Sequence, residues 1–104
     1  MPSAKKAAAA PSTLHIKGEM SIYRAHELKD SVLGALGQAA AELELNLADV
    51  TELDTAGIQI LMLAKRQAQV AHKILRLSAH SPAVLEAFEV LNLAAYFGDP
   101  LVMS

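Results

Sequence analysis

A chain of 104 residues has room for one domain, and with 53% of its residues apolar it is neither a disordered tail nor a solvated linker. Its formal net charge is −2, and its Lys and Arg are dispersed, the densest groups being the pairs Lys5-Lys6 and Lys65-Arg66, which excludes a nucleic-acid binder. With no cysteine there is neither a disulfide frame nor a thiol nucleophile, and with no Trp the core is built from Leu, Ile, Val, Ala and Met.

Residues 1–12 are rich in Ala, Lys, Ser and Pro without periodicity, which predicts a flexible N-terminal tail, with the domain over 13–104. The alanines after Lys6 make too short a run for a signal-peptide core, and Ile60 to Ala64 is too short to span a bilayer. A cytoplasmic location is the resulting expectation. Thr13 to Lys17 alternates, with Leu14 and Ile16 on one side, which predicts a strand ending at Gly18. Ser21 is a helix-capping residue, and Ile22, Ala25, Leu28, Val32 and Leu36 then recur at helical spacing. Leu43, Leu45 and Leu47 alternate with Glu44 and Asn46, which predicts a second strand, with 48–53 as a connecting loop.

Asp54 precedes a long helical stretch reaching about Ala71. Ile58, Leu61, Met62 and Lys65 lie along one side of it, and Ile60, Leu63 and Ala64 broaden the apolar face. Ile74 to Leu77 reads as a third strand. Ser81-Pro82 is a strong helix start, an N-cap followed by a proline at the first helical position, with Val84, Leu85, Phe88 and Leu91 as the buried face. Leu93 to Phe97 predicts a last short helix, ended by Gly98 and Pro100. The order β-α-β-α-β-α predicts a single α/β domain: a small parallel or mixed sheet with interspersed helices and right-handed crossovers.

No phosphate loop, dinucleotide fingerprint or serine elbow occurs. His15, His26, His72 and His80 have no metal-ligand spacing, and each is expected at the surface or a strand edge. A phosphoacceptor receiver needs an acidic pair after the first strand and a Lys ending the third, where this chain has Gly18-Glu19 and Ser78. No acid, base and metal groups converge, so neither enzyme activity, metal nor cofactor is expected. What stands out is the turn from Val50 to Gly57, between a strand and a helix, where α/β proteins place function. Asp54 or Thr55 is able to accept from the free amides of the first helical turn, and Gly57 permits close approach of another backbone. Loops after successive parallel strands gather at one edge of the sheet, so Ser21 and Tyr23 are expected to border Asp54, Thr55, Ala56, Gly57 and Gln59.

With Asp54-Thr55-Ala56-Gly57-Ile58 in that place the chain resembles a STAS domain, the class found in sulfate transporters and anti-sigma factor antagonists. Ile16-Lys17-Gly18-Glu19, Leu45-Asn46-Leu47 with Val50, and Ser81-Pro82-Ala83-Val84 with Phe88 and Leu91-Asn92-Leu93 carry the rest of the likeness, over about residues 13–98. The resemblance implies a non-enzymatic regulatory module in which Thr55 is the phosphoacceptor; nothing in the sequence suggests an obligate dimer, so a monomer when free is expected. The kinase would be the partner itself, an anti-sigma factor with serine/threonine kinase activity or a related histidine-kinase-like ATPase. In that class the unmodified protein binds and the modified one releases. The chain departs from the antagonist pattern at Ser21, where an acid is common, and at Ala56, where Ser or Thr is common, leaving one acceptor. The Asp-Thr-Ala-Gly form followed by Gln is also similar to STAS adaptors of chemosensory complexes. A related Asp-Thr-Gly-Gly form occurs in lipid-transport ABC complexes, where Thr55 would be a contact residue.

Overall fold

The computed structural model describes residues 12–91. Strand β1 (Ser12–Met20) leads through a 3-10 turn (Ile22–Arg24) into helix α1 (Ala25–Gln38). Strand β2 (Glu42–Leu53), helix α2 (Thr55–Val70), strand β3 (Ile74–Ser78) and helix α3 (Pro82–Leu91) follow. The sheet order is β1-β2-β3, and both pairings are parallel. α1 and α2 pack against each other, as two right-handed crossovers advancing in one direction across a parallel sheet require.

β2 is the central strand, and alternation divides its residues between the two faces. Leu43, Leu45 and Leu47 are buried, joining Val32 and Leu36 of α1 and Leu61, Ala64 and Ala68 of α2 in one core. Glu42, Glu44 and Asn46 alternate with them and are half-buried. The two carboxylates find partners on β3: Arg76 Nε donates to Glu42 Oε2 at 2.6 Å, and the Ser78 hydroxyl donates to Glu44. α3 packs on β2 and adds Val84 and Phe88 to the same core.

Several expectations need correction. β2 runs to Leu53, through the segment expected to be a loop. Its pairing with β1 slips twice, His15 facing Asn46 but Lys17 facing Asp49, then Gly18 facing Val50 but Glu19 facing Glu52. Each slip puts one more residue on β2 than on β1, a bulge, and so shifts the apolar alternation from Leu47 to Val50. β1 starts at Ser12 and continues past Gly18 to Met20. Gly18 has φ +83°, and the Arg24 guanidinium bridges the Lys17 and Glu19 carbonyls on either side of it at 2.7 and 2.8 Å. Ile22 is 68% exposed because it lies in the 3-10 turn, off the α1 stripe that buries Leu28, Val32 and Leu36. Leu91 is 52% exposed rather than buried. His80 is buried, not at the surface, and meets the Phe88 ring edge to face with centroids 5.7 Å apart. The short helix expected over 93–97 and residues 1–11 of the tail expected over 1–12 lie outside the described residues, while Ser12 belongs to β1.

Candidate functional site

The parallel sheet brings the ends of β1 and β2 to one edge, and Asp54 ties them together. Its amide donates to the Met20 carbonyl at 3.1 Å. Its Oδ1 accepts from the Gly57 amide at 3.1 Å, capping α2. Its Oδ2 accepts from the Ile22 amide, also at 3.1 Å, holding the 3-10 turn against the start of α2. These amide donors, Gly57 foremost, hold the Asp54 carboxyl below the usual carboxylate range, against the opposing effect of partial burial.

Gly57 permits this closeness. A Cβ there would stand 2.4 Å from the Met20 carbonyl oxygen and 2.8 Å from the Met20 Cβ. The backbone approached at Gly57 is therefore the chain's own β1, and Gly57 is buried. Ser21 is buried too; its hydroxyl accepts from the Tyr23 amide at 3.3 Å and caps the 3-10 turn, not α1. Both residues thus serve the fold at this edge.

The outward-facing members are Thr55, at the first position of α2, Gln59 one turn on, and Tyr23, which is 88% exposed beside Ile22. Ala56 is half-buried. Thr55 also borders a groove of about 450 Å³ between the start of α2 and α3. Its walls are Leu53, Ile58, Ala83, Ala87, Val90 and Leu91. Sequence reasoning missed this groove, although Val90 off the Val84–Phe88 stripe was a signal: it is 75% exposed. Among the described residues no three His, Asp or Glu are placed to hold a metal. No described helix is long and apolar enough to cross a membrane.

A parallel β-α-β frame whose second helix begins at a capped, outward-facing turn defines the class of small α/β domains to which this fold belongs. The family described as "Mlab, STAS domain" matches residues 3–102, and the chain belongs to it. The chain's fold is similar to that of the anti-sigma factor antagonist SpoIIAA in its unphosphorylated form, with TM-score 0.69 and 16% identity over 92% of this chain and 84% of that one. A second similar structure is that of Mglu, with TM-score 0.56 and 22% identity over 65% of this chain. This chain spans only 17% of Mglu. No curated protein sequence matches the chain.

Proposed function

We propose that this chain is a non-enzymatic interaction module of the anti-sigma factor antagonist type, docking a protein partner at the start of α2 and released by phosphorylation of Thr55. The observation that carries the reading is the exposed Thr55 at the first position of α2, between the Ile22–Tyr23 turn and the groove. The partner is a serine/threonine kinase acting as anti-sigma factor, or a related histidine-kinase-like ATPase. It transfers the γ-phosphoryl group of ATP to Thr55 Oγ1; the hydroxyl proton is lost and ADP leaves.

The phosphate brings roughly −1.5 to −2 charges. A helix N-terminus ordinarily welcomes an anion. Here Asp54 already takes the Gly57 amide and draws on that of Ala56, so the new charge stands beside an ionised carboxylate with few amides left. It also enters the mouth of an apolar groove, where a docked side chain would strip its water. Occupancy and desolvation together eject the partner.

A second reading is a constitutive subunit contact in a transport ATPase complex, with Thr55 as a contact residue; the likeness of Asp54-Thr55-Ala56-Gly57 to the Asp-Thr-Gly-Gly form favours it. Affinity capture from the native cell with wild type, Thr55→Ala and Thr55→Glu separates the two. Capture of one ATPase by wild type and Thr55→Ala but not Thr55→Glu, with phosphate on Thr55 in the native protein, supports the switch. Equal capture by all three variants overturns it and leaves the constitutive contact.

A further inference from the structure

Charge is unevenly distributed around the groove. No Lys or Arg occurs in residues 42–64 or 77–104, which include the end of β2, the first half of α2 and all of α3. The same stretches put Glu52, Asp54 and Glu86 on the groove lining, with Glu89 on the flanking α3. Glu52, Glu86 and Glu89 are exposed, and the apolar Val90 and Leu91 between them are exposed as well. An apolar trough with an acid rim suits an amphipathic segment of opposite charge.

We propose that the α2–α3 groove is the seat of a cationic amphipathic helix of the partner, with apolar side chains against Ala87, Val90 and Leu91 and Lys or Arg facing Glu52 and Glu86. The proposal rests on docking at the start of α2 and holds whichever role Thr55 plays. A helix laid along α3 presents apolar residues at every third or fourth position, the spacing that a groove between two helices accepts. The acid rim steers such a segment in and rejects an acidic one. A phosphate on Thr55 fills the seat but also attracts Lys and Arg, so release requires occupancy and desolvation to outweigh that attraction, and is more complete at high salt, where the attraction fades.

The probe is a synthetic helix-forming Leu/Lys peptide with Leu at helical spacing; the control carries Glu at every Lys position. Each is titrated into the full-length isotope-labelled chain and followed by amide NMR shifts. The Leu/Lys peptide is expected to move the amides of Ala83, Ala87 and Val90, and to bind at least about tenfold more tightly than the Leu/Glu peptide. Glu86→Lys, at an exposed position, weakens it several-fold without altering thermal unfolding; Ala87→Trp, which fills the trough, removes it. Equal shifts by both peptides, shifts elsewhere, or no shift by either overturns the proposal. So do groove shifts that grow with protein concentration alone as sedimentation reports a dimer, because a second copy is then the occupant. If the native partner is lost with Thr55→Glu yet retained by Glu86→Lys and Ala87→Trp, docking at α2 stands and the groove assignment falls.

Discussion

The carboxylate of Asp54 accepts from Gly57 on its own helix and from Ile22 beyond β1, while its amide donates to Met20. One side chain therefore sets the start of α2 and the exposed Ile22–Tyr23 turn beside it. An N-cap replaced by Ala costs about 0.5–2 kcal/mol, and a second amide bond to an ionised acceptor adds to that. Asp54→Ala is expected to lower unfolding stability by about 2 kcal/mol at neutral pH in urea titrations. The bonded carboxyl titrates below its ordinary value in the fold, so its contribution is complete above the unfolded value and is lost as pH falls through the folded one. The gap between wild type and Asp54→Ala should thus close below about pH 4. A gap that persists unchanged at pH 2 to 3 would show that the loss comes from packing and not from the carboxylate's bonds.

At the scale of elements, the end of α2 shows how a helix stops without glycine. Lys73 N donates to Ala68 O at 2.8 Å and His72 N to Gln69 O at 3.2 Å, the paired bonds of a Schellman ending. His72 takes the left-handed position with φ 58°, which disfavours any residue with a Cβ. Lys73 then donates its ammonium to the Leu36 and Gly37 carbonyls, at 2.8 and 3.3 Å, tying the end of α1 to the end of α2. His72→Gly removes the strain and keeps the bonds, so it should stabilise the protein by about 0.5–1 kcal/mol, measured by chemical unfolding. Destabilisation would mean that the exposed imidazole contributes more than the backbone strain costs.

The ends of elements were also where sequence reading parted from structure. α2 and α3 were legible because caps announce them: Asp54 takes the Gly57 amide, and Ser81 Oγ takes the Val84 amide at 3.3 Å. The end of β2 was not, because two bulges break the period of two on which strand recognition depends. Ile22 was misplaced because a 3-10 turn at the helix start rotates it off the 3.6-residue stripe. Burial of His80 beside Phe88 had no local signature, since it arises where α3 folds back on the sheet. At the site, Asp54 and Thr55 were legible from the turn, whereas the inward roles of Ser21 and Gly57 depend on how close β1 comes to α2.

Across the described residues, all three strands and all three helices contribute buried side chains to one cluster, with Ile58 buried outside it against the groove. Leu61 lies fully buried within it on α2, whose N-terminus carries the candidate site. The helix that carries the site is therefore held mainly by the same packing that holds the sheet. Leu61→Ala removes a buried isobutyl group and leaves a cavity, at a cost of about 2–5 kcal/mol, a large part of the 5–15 kcal/mol typical of a domain. Because the core is shared, the loss should appear as a lower midpoint of one cooperative transition with an unchanged denaturant slope. Far-UV circular dichroism and the loss of native amide NMR peaks, followed on the same urea series, should coincide for α2, α3 and β2. If α3 peaks vanish well before those of β2, then Val84 and Phe88 form a separable layer. The groove wall they support would then open independently of the sheet.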